Sequence, residues 1–156
     1  MNHRWKLRFI EKAQQFAAWS KDHSTQVGAV AVDAQCGIIA TGYNGLPRRV
    51  SDLPERYLRP AKYLYTVHAE ANLVADAARR GTSLLGSHVL CTHAPCAQCA
   101  ALLINAGIAS LTYNPDNKTS MPDATFAAAL EMLTEAGVAV TSISPATDKE
   151  TTFIRK

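Results

Sequence analysis

Two short stretches hold residue types able to do chemistry together: "HAE" at His68, Ala69 and Glu70, and "PCAQC" from Pro95 to Cys99. Cys96 and Cys99 are three residues apart, so on a helix they share a face and both sulfurs can address one ion. A helix start at that point favours the thiolate form that a metal requires. His68 adds a neutral nitrogen. One histidine and two cysteines are three ligands of the kind zinc takes, leaving the fourth tetrahedral position for water, the pattern of a catalytic rather than a structural site. Zinc lowers the pKa of such a water toward neutrality, and Glu70, two residues from a ligand, is close enough to carry its proton. A closed structural site would want a fourth protein ligand, for which His93, three residues before Cys96, is the candidate. A redox use of the CxxC pair lacks the usual aromatic and glycine surroundings. Cys36 and Cys91 lie in apolar, strand-like runs and read as inert buried thiols. His3, His23 and His88 read as solvated or structural.

The elements that must position these residues can be read from periodicity. Apolar residues at Trp5, Phe9, Ala13, Phe16 and Ala17 recur at helical spacing, so residues 5–19 predict an amphipathic helix, which "SKDHST" ends. "QVGAVAVDA" and "GIIATGY" predict a hairpin turning near Gly37. Residues 44–65 hold three prolines and many charges without a clean period and read as a long loop, a feature that in compact domains tends to be functional. Ala69–Arg80, free of Gly and Pro and ending at Gly81, predicts a helix with Glu70 in its first turn. "SHVLCT" predicts a buried strand. The next helix starts near Pro95, buries Leu102, Leu103 and Ala106, and stops at Gly107. "ASLTY" gives a further strand. Residues 123–136 give a helix with Asp123 as N-cap and Gly137 as terminator, and "VAVTSI" a fifth strand. The expected fold is a three-layer α/β/α single domain over 1–156 with a mixed five-stranded sheet, its tail from Pro145 loosely held.

At 156 residues and 47% apolar, the chain has the material for one domain with a core. A net charge of +3, with Lys and Arg scattered, suits small anionic ligands better than a nucleic-acid polymer. No run approaches a membrane span, and the polar, basic opening of residues 1–8 is unlike a secretion signal, so a cytoplasmic protein with no membrane partner is expected.

H-x-E followed by P-C-x-x-C is the signature of zinc deaminases of nucleobases, and "HAE" with "PCAQC" reproduces it. The likeness extends well beyond these motifs. "SKDHSTQVGAVAVD", "IIATGYNGLP", "VSD", "KYLYTVHAEANLV", "APCAQCAALLINAGI" and "EMLTEAGV" together resemble the deoxycytidylate (dCMP) deaminase family of the cytidine deaminase superfamily, over nearly all of residues 20–140. The resemblance implies a cytidine deaminase-like fold, Zn2+ held by His68, Cys96 and Cys99, and Glu70 as proton shuttle. It also implies that Asn44 contacts the nucleotide sugar, and that the backbone around Ala69 and Pro95 reads the cytosine edge. The implied reaction is hydrolysis of dCMP to dUMP. The implied assembly is a homo-oligomer with dCTP and dTTP as possible effectors.

For the 5′-phosphate, Ser20 and Lys21 at the end of the first helix are the leading candidates, although Lys21 also reads as a favourable charge at a helix C-terminus. Tyr113 and Asn114 could line the pocket from the other side. The chain departs from the family at Arg49, where "GYNGxPxG" often has glycine, and at Asn72–Leu73, which replace the more usual NA pair. Arg48 and Arg49 read as a solvated loop tip. Two other readings stand beside the leading one: a deaminase of another nucleoside, nucleobase or modified deoxycytidylate, and a noncatalytic zinc-stabilised binding module. Glu70 separates the last from the others, since a structural module has no use for a carboxylate beside an open zinc.

Overall fold

A computed structural model describes residues 1–153. Helix α1 spans His3–Ala17, and strands β1 (Gly28–Val32) and β2 (Ile38–Tyr43) form the expected hairpin. A short helix α2 (Lys62–Tyr65) precedes α3 (Ala69–Arg80), β3 (His88–Cys91), α4 (Ala97–Asn105), β4 (Ser110–Tyr113), α5 (Asp123–Glu135), β5 (Ala139–Ser144) and β6 (Lys149–Phe153). The sheet order is β2-β1-β3-β4-β5-β6; β3, β4 and β5 run parallel, and the remaining neighbours are antiparallel. The parallel pairs need crossovers, and α4 and α5 supply them.

The central strands carry apolar residues toward both faces, so the sheet is covered twice. Phe9, Ile10 and Ala13 of α1 pack on Val30, Val32, Leu90 and Ile143 on one side. On the other, Leu73 of α3, Leu103 of α4 and Leu133 of α5 pack with Ala29, Ala31, Val89, Leu111 and Val140. Each such fully buried aliphatic side chain contributes about 1.5–3 kcal/mol from area alone. Two glycines set how closely the layers approach. A β-carbon at Gly28 would sit 2.0 Å from the Ala13 carbonyl oxygen of α1, and one at Gly42 would sit 2.1 Å from that of Ala69 in α3. Gly42 therefore lets the first turn of α3 rest directly on β2.

The architecture differs from the sequence reading in four places. The sheet has six strands, because the tail beyond Pro145 returns as β6. The polar "KETTF" is held at the edge by Lys6 and by His3, whose ring nitrogens lie 2.6 Å from Glu150 and 2.7 Å from Asp148. The long loop contains a 3-10 turn at Pro54–Tyr57 as well as α2, and its two ends are joined: Gly45 and Val67 exchange backbone hydrogen bonds of 3.1 and 2.8 Å. Leu103 is buried on α4 as expected, together with Cys99 and Ala100, but Leu102 is exposed and Ala106 is a half-buried C-cap. Pro122, not Asp123, occupies the N-cap of α5, and Asp123 starts the helix as a favourable first-turn charge.

Candidate active site

The metal-ligand candidates sit at two helix beginnings that the fold brings together. His68 is the N-cap of α3, and Glu70 lies in its first turn; Cys96 is the N-cap of α4, and Cys99 lies in its first turn. Neither cap position makes the side-chain bond to the helix that an N-cap usually makes, so His68 and Cys96 are free to turn toward each other. His68 Nδ1 is 3.5 Å from each of the two sulfurs. With Zn–N and Zn–S bonds of about 2.0 and 2.3 Å, the N···S edge of a tetrahedron is about 3.5 Å, so the spacing fits zinc. Ligand atoms of these three residues all lie within 4.8 Å of one another, and His93 is not part of the group. With no fourth protein ligand among the described residues, the closed structural site has nothing to complete it.

The electrostatics put one negative charge on the cysteine pair. The Cys96 thiol is pulled down to about 4, first by a hydrogen bond from Cys99 and then by His68, while Cys99 is held up as its partner. The bond to Cys96 raises His68. Burial pushes the Glu70 carboxyl upward, favouring a group that can hold a proton as well as release one.

His68, Glu70 and Cys96 open into a cavity of about 370 Å³, also lined by Asp22, Asn44, Arg59, Lys62, Thr66, Ala69, His93, Ser120 and Phe126. Lys62, 8% exposed, donates to Asp22 Oδ2 at 2.6 Å and to Ser24 Oγ at 2.6 Å. Asp22 also accepts from the Ser24 and Thr25 backbone amides. Burial pushes its carboxyl up, but Lys62 and these donors outweigh that and leave it below its ordinary value. The wall's lysine charge is thus neutralised internally. Arg59 is not: it bonds Ser120 Oγ at 3.0 Å and has no carboxylate partner among the described residues. Thr66 brings a buried hydroxyl with no hydrogen-bond partner among the described residues.

Several residues expected at the site lie elsewhere. Lys21 is exposed and pairs with Asp52, because the chain turns away after α1. The Ser20 hydroxyl faces inward and accepts from the Asp22 amide at 3.2 Å. Tyr113 stacks on Phe153, and Asn114 uses its side chain on the Asp116 amide. Pro95 and Tyr113 line a separate apolar cleft. Asn44 does reach the cavity, although its amide is largely committed to Val27 and Thr25; Ala69 is also on the wall. The sequence reading missed Asp22, Arg59, Lys62 and Thr66. Asp22 sits beside Lys21 in "SKD", and Lys62 opens "KYLY", but only the folded loop shows that these two charges meet.

A sequence model of the cytidine and deoxycytidylate deaminase zinc-binding region matches residues 3–114. Human deoxycytidylate deaminase is 33% identical over 151 residues, covering 93% of this chain and 83% of its own. An uncharacterized deaminase in the luxG 3′ region of Aliivibrio fischeri is 40% identical over 141 residues, covering 88% and 92%. The crystal structure of dCMP deaminase from cyanophage S-TIM5 in complex with dCMP and dUMP superposes with a TM-score of 0.75 at 27% identity, covering 92% and 99%. The ligand geometry, the buried carboxylate and these likenesses agree, and the chain belongs to the zinc-binding cytidine and deoxycytidylate deaminase family.

Proposed function

We propose that this enzyme hydrolyses dCMP to dUMP and ammonia. The observation that carries the reading is the three-ligand group with tetrahedral edges of 3.5 Å, set beside buried Glu70 in a cavity that also presents an uncompensated arginine. Zinc, when bound by His68, Cys96 and Cys99, supplies a Lewis acid that makes water nucleophilic near neutral pH. Glu70 takes the proton of the attacking water and returns protons to ring N3 and to the departing amine, a role its raised affinity for a proton suits. Asn44 and the first-turn backbone at Ala69 line the wall along which the nucleoside lies. Arg59 with Ser120 is the group for the 5′-phosphate, because Lys62 is already paired with Asp22.

Two further features belong to the same reading. Leu58, Tyr63 and Leu64 stand exposed on the excursion that carries Arg59 and Lys62, an apolar surface that supports a homo-oligomer. All four cysteines are free thiols, which suits a reducing cytoplasm. No helix of the described residues is long and apolar enough to cross a membrane.

The test is ammonia release from dCMP and from deoxycytidine by the zinc-loaded enzyme. Turnover of dCMP with little of deoxycytidine is expected. Glu70→Gln should abolish turnover with zinc retained, and Arg59→Ala should lower kcat/KM for dCMP by roughly 10- to 100-fold, the size of a lost charge-assisted bond, while leaving deoxycytidine unaffected. Equal use of both substrates, or of neither, overturns the reading.

A further inference from the structure

The two helix starts that carry the metal ligands are fixed by different devices. Beside His68, the backbone of Val67 is bonded to Gly45 in both directions, at 2.8 and 3.1 Å. At α4 the residue in the N-cap position is Cys96, and its sulfur is turned to His68 at 3.5 Å instead of capping the helix. The first amides of a helix have no acceptor within it, so the cap that Cys96 does not give has to come from elsewhere. It comes from α5. The Ala97 amide, first in α4, donates to Thr125 Oγ1 at 3.0 Å. Thr125 is itself held in the first turn of α5, where its amide donates to the Pro122 carbonyl at 3.1 Å.

Ala97 directly follows one sulfur ligand and precedes the other by two residues, so a shift of its amide moves both. Cys96 and Cys99 each stand 3.5 Å from His68 Nδ1, edges that a small rotation of the α4 start would make unequal. Threonine suits the supporting position. It offers a neutral acceptor beside the residue that follows Cys96, where a carboxylate would oppose the thiolate charge, and its branched β-carbon restricts the rotamers that could swing the oxygen away. Phe126, next in the chain, lines the cavity, so one turn of α5 supports the metal cradle and walls the substrate space. With His68, Cys96 and Cys99 read as the zinc ligands, we propose that Thr125 is a positioning residue for the metal centre. Its hydroxyl oxygen replaces the cap that Cys96 gives up to the metal, and sets the turn that presents both thiolates to one ion.

The experiment measures zinc affinity by competition with a chelator in the wild type, Thr125→Val, Thr125→Ser and Ala97→Pro. Visible absorption of the cobalt(II)-substituted proteins and urea unfolding with and without metal accompany it. Thr125→Val keeps the side chain's shape and removes the acceptor. It should weaken zinc binding by roughly 10-fold or more, the range for losing a bond that supports a metal ligand, and shift the cobalt bands. Thr125→Ser, which restores the hydroxyl, should recover most of the affinity. Ala97→Pro removes the donor instead, at a first helical position that tolerates proline and after Cys96, whose φ of -74° and ψ of 169° suit a residue before proline. It should weaken zinc binding to a similar extent, and carries the test if Thr125→Val does not fold. The double variant should lose no more than the larger single, since both remove the same bond. Affinity and cobalt bands unmoved in Thr125→Val, with metal-free and zinc-loaded proteins destabilised alike, would mean a role in folding alone and overturn the proposal. Losses that multiply in the double variant would overturn it too. Failure of the zinc reading itself would register separately, as a wild type that takes up neither zinc nor cobalt.

Discussion

Replacing Asp22 by Asn removes one charge from a buried pair while keeping the side chain's shape and its Oδ1 acceptor. In the native structure Asp22 accepts from Ser24 N at 2.9 Å, Ser24 Oγ at 2.8 Å, Thr25 N at 3.3 Å and Lys62 Nζ at 2.6 Å. Among the described residues Lys62 has only Ser24 Oγ besides. Asn at this position strands the ammonium of Lys62, a residue only 8% exposed, and stranding one member of a buried pair costs about 3 kcal/mol or more. Asp22→Ala also gives up the neutral bonds and should cost about 1 kcal/mol beyond that. Lys62→Met leaves Asp22 with its Ser24 and Thr25 donors and should cost about 2 kcal/mol. The double variant Asp22→Asn/Lys62→Met leaves no charge unpaired, so its loss should fall short of the sum of the singles by about 2 kcal/mol. Urea unfolding at fixed zinc reads the four variants against the wild type. The pH dependence has a definite sign, because the folded pKa of Asp22 lies below its ordinary value. The wild-type advantage is present above about pH 4 and fades as pH falls through the folded pKa. A single-variant cost under about 1 kcal/mol, or singles that add within about 0.5 kcal/mol, would refute the pair as an organiser of the wall.

Gly42→Ala should lower stability by about 2–3 kcal/mol and weaken zinc retention, since its β-carbon would meet the Ala69 carbonyl and push the turn that carries His68 and Glu70; an unaltered Tm with unaltered chelator resistance contradicts this. Arg49 has φ of 67°, the left-handed conformation that favours glycine, so Arg49→Gly should stabilise by about 1 kcal/mol; thermal unfolding showing a loss would mean that the arginine side chain holds the loop. Both ring nitrogens of His3 face carboxylates, and the bond to Asp148, then that to Glu150, raises its pKa. The hold of His3 on β6 is therefore complete below about pH 6.5 and is lost as pH rises through the raised folded value. Amide exchange of Lys149–Phe153 should accelerate over that range, and protection that stays flat would count against the clasp.

What could be read from the sequence was what local spacing encodes. Cys96 and Cys99 lie one turn apart, and His68 and Glu70 share a first turn, so their mutual geometry follows as soon as each helix forms. The hairpin, α3 and the parallel strands likewise carry their periods within short windows. The wall that carries Asp22, Arg59 and Lys62 did not follow, because it depends on how residues 46–66 fold against "SKDHST". Lys21 and Asp22 are adjacent, yet one meets Asp52 at the surface and the other meets Lys62 in the wall. No local period marks β6 either: its polar edge is kept in place by His3 and Lys6, at the far end of the chain.

The paired backbone bonds between Gly45 and Val67 have an evolutionary consequence. They close residues 46–66 into a loop whose two mouths are pinned, one residue from Asn44 and one from His68, which both line the cavity. Arg59, Lys62 and Thr66, which line the cavity, all belong to that loop, and none of His68, Cys96 and Cys99 does. Doubling a flexible closed loop adds only about 0.6 kcal/mol of closure entropy. Substrate preference can therefore drift by insertion, deletion or substitution inside the clasp while the reaction centre keeps its register, separating what the enzyme accepts from how it reacts.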